Sequence, residues 1–426
     1  MSAIYLGLVA LVIGSTFVFN RDIFTPWRVF AGIYGLLLAL NGLKLSRVQS
    51  DWSFTTHAIF WGAVAVFFLA CAQMKFLFEA FNPRWKFEYA GIRTSLQSDS
   101  LNMNWRRFLA VWWVCSGAFV LSFMLSVAIT GGIPVFSSNP DAARVEFVTA
   151  SIPTNYGMFC GPIALILGVE FLIFHRRDQP HWKTVAGTVA VVLVLYMAVV
   201  TRFELFRFLV FAIILHHYVR KPLKPWHLFA GFGGLVLLFM LVFLIRVGQN
   251  SFETYSEITK IKMPAQWSWA STIYAYLATD FWNFDYAIKR YVDGVWEYPT
   301  QWGFGLGRGL FYLLQFEGPI ESAFGFDNIM NDSIIKLKGY NTVVFMWHFY
   351  KDFGVAGVYI LTWLGGSLMT LFYLNTMGRP TVFRVVLFGI FTGALALSYH
   401  APLWELWFFY LNIGMIALAH DKIRLA

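Results

Sequence analysis

The sequence predicts an all-α, polytopic integral membrane protein of about eleven transmembrane helices, built around one large non-cytoplasmic loop. Three observations predict it. Of 426 residues, 58% are hydrophobic and only 13% charged, against about 25% charged in an ordinary soluble domain. Apolar runs recur at the length of about 17–25 residues that crosses a bilayer. Basic residues are distributed unequally between alternate connecting segments, the mark of membrane topology.

The apolar runs fall near 3–20, 27–43, 55–74, 108–130, 157–174, 184–200, 203–218, 227–246, 352–375, 383–399 and 401–419. The first lacks a basic leader and a small-residue cleavage site, so it reads as a membrane helix and not as a removed signal. The 203–218 run is the shortest of the set and carries Glu204 and Arg207. Segments following the odd-numbered runs hold eighteen Lys and Arg, Arg106, Arg176 and Arg379 among them. The alternate short segments hold five: Lys44, Arg47, Arg144, Arg202 and Arg207. This asymmetry puts the first set in the cytoplasm, the amino terminus outside and the carboxyl terminus inside.

Three regions follow: residues 1–246 with helices one to eight, a large external loop over 247–351, and 352–426 with helices nine to eleven. The loop has no low-complexity tract and is rich in aromatics, including Trp267, Trp269, Tyr274, Phe281, Trp282, Phe284, Trp296 and Trp302. Its composition predicts short helices lying on the membrane surface, and loops of this length are usually functional. Aromatics make up 19% of the chain. Interfacial belts account for many of them. No internal repeat is visible, which argues against an inverted-repeat transporter.

The net charge of +9 resides largely in short loops between apolar runs. It reports topology and anionic headgroups rather than nucleic acid, because no basic stripe alternates with stacking platforms. Cys71, Cys115 and Cys160 lie in or beside apolar runs without metal-ligand spacing, so they read as core residues, with no disulfide and no metal site. A Walker A motif, HExxH and GxSxG are absent. The Gly303–Gly307 stretch reads as a turn, since no Lys-Ser/Thr follows it. No cofactor is expected.

Ionisable groups near membrane depth are costly and therefore mark candidate sites. Arg202 and Arg207 at run seven, Arg246 at the end of run eight and Arg144 in the outer loop after Gly131-Gly132-Ile133-Pro134 all fall on the outer side by topology. Arginine suits diphosphate, since its planar fork stays charged and bonds two oxygens at once. The competing readings are snorkelling at helix ends and an Arg207–Glu204 pair. His348 and Asp352 are four apart, on one helix face. They serve either as an oriented general base or as a cap and tether for the helix start. Gly354 and Gly357 favour close helix packing. His400 with Glu405 is a weaker pair, and His216 and His217 fall on the cytoplasmic side.

Three segments resemble bacterial polysaccharide repeat-unit polymerases of the Wzy type, the O-antigen polymerases among them. Gly131-Gly132-Ile133-Pro134-Val135-Phe136 leading to Asp141 and Arg144 is similar to that family's Gly-Ile-Pro…Arg loop. Thr201-Arg202 before an apolar helix resembles its (Gly/Ser/Thr)-Arg helix start. Asn341…Tyr350-Lys351-Asp352-Phe353-Gly354…Gly357 resembles its Asn…Tyr-x-Asp-Phe-Gly-x-x-Gly segment. The related O-antigen ligases often place His-Asn before this segment, where Tyr340-Asn341 stands here.

The resemblance implies a GT-C-like glycosyltransferase architecture in the bacterial inner membrane, with a periplasmic active face. It implies metal-independent, inverting transfer of a growing glycan from undecaprenyl diphosphate to a new lipid-linked repeat unit. Candidates for catalysis are His348, Asp352, Tyr350 and Asn341. Candidates for diphosphate binding are Arg202, Arg246, Arg207 and Arg144. Expected partners are the bilayer, undecaprenyl-diphosphate-linked oligosaccharides, a chain-length regulator and a flippase. An O-antigen ligase and a lipid-linked oligosaccharide flippase are the alternatives.

Overall fold

The computed structural model describes residues 22–83, 87–137, 140–175, 179–199, 203–224, 260–261, 268–292, 301–314, 342–400 and 402–422, with a few isolated positions besides. The described residues are helical, with no strand among them. In chain order the helices are α1 (Pro26–Asn41), α2 (Phe54–Phe81), α3 (Tyr89–Leu101), α4 (Trp105–Thr130), α5 (Pro140–Val148), α6 (Ile152–Met158) and α7 (Cys160–Phe174). They continue as α8 (Trp182–Ala198), α9 (Phe203–Val219), α10 (Ser268–Val292), α11 (Phe304–Leu313), α12 (Phe345–Gly378), α13 (Val382–Leu397) and α14 (Trp407–Ala419).

Local signals start and stop these helices. Ser53 accepts the Thr56 N–H at the start of α2, and Asn104 accepts the Arg107 N–H at the start of α4. Side-chain capping recurs before α6, where Ser151 and Thr154 form a reciprocal capping box. Gly131, at φ 73°, closes α4 in the left-handed conformation.

The chain is a helical membrane protein. Phe54–Phe81, Trp105–Thr130, Ile152–Phe174 and Phe345–Gly378 are long and apolar enough to cross a bilayer, and α8, α13, α14 and most of α9 are shorter apolar helices. Their outward faces are apolar: Leu121, Met124, Leu125 and Ile129 on α4, and Ile360, Leu364 and Leu368 on α12, are exposed. Such surfaces suit lipid and not water. The runs near 3–20 and 227–246 fall mostly outside the described residues.

Two compact units make up the chain. The first comprises Met1–Phe87, Ser251–Gly378 and Ala394–Tyr410; the second comprises Glu88–Asn250, Arg379–Gly393 and Leu411–Ala426.

In the first unit α2 packs along α12, with α1 and α10 against them. Phe30 stacks on both Tyr34 and Phe67 at 4.2 Å, and Phe60, Phe281, Phe284 and Val358 fill the same core. Here the expectation of short surface helices is corrected over 268–292. Residues 268–292 form one 25-residue helix, not short surface helices. Tyr274, Phe281, Trp282 and Phe284 are buried within the unit. The sequence pattern hid this because the helix also buries polar residues: Asp280, Asn283 and Asp285 all point inward. Asp285 is fully engaged, accepting from the Ser53 N–H, the Thr56 hydroxyl and Lys289 at 3.0, 2.8 and 2.6 Å. It thereby ties α10 to the start of α2.

The second unit packs α4 against α6, α7 and α8. The Trp112 indole N–H donates to the Ala164 carbonyl at 2.9 Å. Glu170 of α7 and His420 after α14 form a buried pair at 3.0 Å, and Arg107 pairs with Asp421 beside it. Cys71 and Cys115 are buried and all three cysteines are free thiols.

Helix α12 bends at Gly354, whose φ of 65° and ψ of −157° lie in a region reserved for glycine. Gly354 therefore makes a kink rather than the close helix packing expected from the sequence. A Cβ there meets no other atom, so the cost of one is conformational alone. Gly354→Ala is expected to lower stability by about 1–3 kcal/mol, read as a lower melting temperature of the detergent-solubilised protein. An unchanged melting temperature would show that the kink needs no glycine.

Candidate functional site

The first two turns of α12, Phe345 to Asp352, are buried on every side. Around them run the 301–313 segment, α10 and the connection from α13 to α14, all within the first unit. The start of α12 is pinned by the Phe345 N–H, which donates to the Ser398 carbonyl at 3.0 Å. Tyr34 of α1 shares a hydrogen bond with the Ser398 hydroxyl at 2.9 Å.

His348 meets Glu405, with Nδ1 and Oε1 2.8 Å apart. Lys351, three residues on and so on the same face, faces the other carboxylate oxygen at 3.9 Å. Glu405 lies in the short 3-10 turn Leu403–Glu405 ahead of α14. Burial disfavours a charged carboxylate here, and His348 and Lys351 are the groups placed to offset that cost.

Asp352 turns away from His348. Its two oxygens accept the backbone N–H groups of Gly305 and Leu306 at 3.2 and 3.0 Å. These groups belong to the first turn of α11, so Asp352 places negative charge at a helix amino end, where unpaired N–H groups and the macrodipole favour it. A Cβ on Gly305 would lie 2.8 Å from an Asp352 oxygen, so the close approach requires glycine. The Gly303–Gly307 stretch is thus the start of a helix and not simply a turn, with Gly303 as its left-handed N-cap. Backbone N–H groups of Gln301 and Trp302 also donate to the carbonyls of Lys351 and Asp352, just before the kink at Gly354.

A second imidazole–carboxylate pair lies at the same end of the unit. His400 Nδ1 is 3.1 Å from an oxygen of Asp280, and the other Asp280 oxygen accepts the Thr342 hydroxyl. The Asn283 amide donates to the Thr342 carbonyl at 2.9 Å.

The sequence-derived candidates separate as follows. His348 and Asp352 do share a face but do not partner each other: His348 pairs with Glu405 and Asp352 caps α11. Likewise Glu405 pairs with His348 and not with His400. Tyr350 is buried, with its ring 5.9 Å from Trp347 and 5.2 Å from Tyr291. Arg207 is buried in α9 and Arg144 half-buried in α5, both in the second unit. The Gly131–Pro134 loop walls a cavity of about 320 Å3 together with Ser137, Glu146 and Phe147. Asn341, Arg202 and Arg246 lie outside the described residues.

Sequence reasoning missed Asp280, Arg308 and the role of Lys351. The available signal was the presence of Asp280 and Asp285 in a strongly aromatic helical stretch, where unpaired carboxylates are costly. No group of His, Cys, Asp and Glu able to hold a metal occurs among the described residues. No family model, curated protein or solved structure matches the chain.

Removing one member of a buried ion pair strands its partners, a loss of about 3–5 kcal/mol. Glu405→Ala is expected to destabilise the protein by that order in unfolding measurements. A double-mutant cycle with His348→Ala should show a coupling of at least about 1 kcal/mol; additive losses would mean that the pair does not form. Asp352→Ala should cost about 1–2 kcal/mol, as other helix caps do, and Asp352→Asn less. Equal losses from the two would discard the capping role.

Proposed function

We propose that the chain polymerises lipid-linked oligosaccharide repeat units at the periplasmic face of the bacterial inner membrane. In this reading about eleven spans in a GT-C-like arrangement carry the outer segments that do the chemistry. A growing glycan on undecaprenyl diphosphate is the donor, and one repeat unit on the same lipid is the acceptor. An acceptor hydroxyl attacks the anomeric carbon from the face opposite the diphosphate, so configuration inverts.

The observation that carries the reading is the charged seam of the first unit. Residues 268–292, 301–313, 342–352 and 398–405 all belong to the outer side by the charge asymmetry of the sequence. They bring His348, Lys351, Arg308, Glu405, Asp352, Asp280 and His400 together at one end of the unit. A transport path would instead distribute ionisable groups through membrane depth. The motif around Asp352 and Gly354, on which the family resemblance rests most, lies within this seam.

Preformed positive charge lowers the barrier where charge develops on the leaving diphosphate. Arg202, Arg246, Arg207 and Arg144 take that role in the proposal, as planar donors suited to phosphate oxygens. A chain-length regulator and a flippase would act beside the enzyme.

The test is surface-polysaccharide banding in the source bacterium with the gene deleted and then restored. Deletion is expected to leave a single repeat unit on the core, wild type to restore the ladder, and Arg202→Ala to leave it lost or severely shortened. Bare core after deletion would favour a ligase or a flippase, and an unchanged ladder would reject the glycan assignment altogether.

A further inference from the structure

The second unit holds a cavity of about 320 Å3 between the end of α4, the loop 131–137 and α5. Its size falls in the range of small-ligand sites, about 300–1,000 Å3. Its walls are fixed by the protein's own contacts. The Thr130 hydroxyl reaches the carbonyls of Ser126 and Gly132 at 2.9 and 3.2 Å, which ties the loop to the last turn of α4. The N–H groups of Phe136 and Ser137 donate to the carbonyls of Ile133 and Pro134 at 3.0 Å each, closing the 3-10 turn Pro134–Phe136. Phe147 of α5 is buried, with its ring 5.2 Å from Phe123 of α4. Pocket and scaffold are therefore built together.

The chemistry of the walls selects a ligand. Phe136 is 83% exposed and presents an aromatic face to the cavity. Glu146, exposed on α5, adds a carboxylate, an acceptor with two oxygens and no donor when ionised. Gly131 and Gly132 leave their stretch of wall bare of side chains. Among the described residues no Lys or Arg lines the cavity. Such a site repels a diphosphate and suits a neutral ring with hydroxyl donors at its edge and C–H groups on its face. Its place fits a ligand carried by a lipid. The outward apolar side of α4 runs through Leu121 and Leu125 to Ile129, all exposed, and the cavity wall begins at the next residue, Thr130. By the charge asymmetry of the sequence this end of α4 is the outer one.

We infer that this cavity seats one neutral pyranose ring of the lipid-linked glycan, with Phe136 against a C–H face and Glu146 accepting hydrogen bonds from ring hydroxyls. The inference rests on the transfer reading above and names the sugar-holding part of its site. No bond is made or broken in the cavity; its role is to hold and orient. A sugar acid is disfavoured there, because its carboxylate would face that of Glu146. Arg144 does not line the cavity, and residues two apart on a helix do not share a face. Sugar and diphosphate are thus served by different residues of α5.

The experiment uses the full chain in two assays. One is binding of the free repeat-unit oligosaccharide, released from its lipid by mild acid, to the detergent-solubilised protein, followed by saturation-transfer NMR. The other is polymerisation of the intact lipid-linked repeat unit in proteoliposomes. A Cβ on Gly132 meets no other atom, so a longer side chain there fills space without a clash in the fold. Gly132→Leu is expected to abolish oligosaccharide binding. Glu146→Ala should weaken it by at least about tenfold, the worth of a hydrogen bond to a charged group. Phe136→Ala should weaken it by about threefold to tenfold, as the loss of an aromatic contact does. In polymerisation the same variants should raise KM rather than lower kcat. Melting temperatures report whether each is folded, and Glu146→Ala, at an exposed position, decides the matter if Gly132→Leu is not recovered. Wild-type protein that makes no polymer would overturn the transfer reading, and binding would then judge the cavity alone. Binding and KM unchanged in folded Gly132→Leu and Glu146→Ala would overturn the sugar site alone. Binding of phosphoethanolamine in place of the oligosaccharide, lost in the same variants, would assign the cavity to a lipid headgroup and overturn it as well.

Discussion

Hydrocarbon offers no hydrogen-bond partner, so a polar side chain buried in a membrane helix must be satisfied by another part of the same protein. The first unit is organised by that constraint. Apolar side chains gain little by turning inward from lipid, so they do not by themselves decide which helix faces which. The polar groups do. Asp285 requires Ser53, Thr56 and Lys289; His348 and Lys351 require Glu405; Asp280 sits between Thr342 and His400. Each of these contacts joins segments far apart in the chain or holds a carboxylate that could not otherwise be buried.

The bend at Gly354 is the backbone counterpart of this arrangement. Just before it, the carbonyls of Lys351 and Asp352 receive N–H groups from Gln301 and Trp302, while the Asp352 carboxylate receives those of Gly305 and Leu306. One short stretch of α12 therefore supplies both backbone and side-chain acceptors to the segment that leads into α11. Gly309 lets α11 lie directly on the turn that bears Glu405, since a Cβ there would come within 2.8 Å of that turn's backbone. The Asp-Phe-Gly sequence thus has a physical meaning: an acceptor for a helix start, an aromatic spacer and a residue that permits the bend.

Two imidazole–carboxylate pairs in the unit differ in their burial. The enclosed pair, His348 with Glu405, has the surroundings of a structural element. The other, His400 with Asp280, leaves its imidazole partly exposed. Burial separates them, since both are at hydrogen-bonding distance and both join distant segments. Desolvation strengthens the enclosed interaction and at the same time removes it from reach.

Membrane character, helical class and the places of the long apolar helices were legible in the sequence, because each depends on local apolar length. The charged residues worth watching were legible too, since His348, Asp352, His400 and Glu405 are costly wherever they are buried. Their partners were not. Spacing along the chain suggested His348 with Asp352 and His400 with Glu405. Folding instead paired His348 with Glu405 and His400 with Asp280, the latter two 120 positions apart. The interior placement of α10 was hidden for the same reason, its inward carboxylates being tolerable only once Ser53, Thr56 and Thr342 are brought to them. Composition and periodicity determine which segments form apolar helices; only the tertiary structure decides which polar groups meet, because a buried carboxylate such as Asp285 or Asp280 needs donors that lie far away in the sequence.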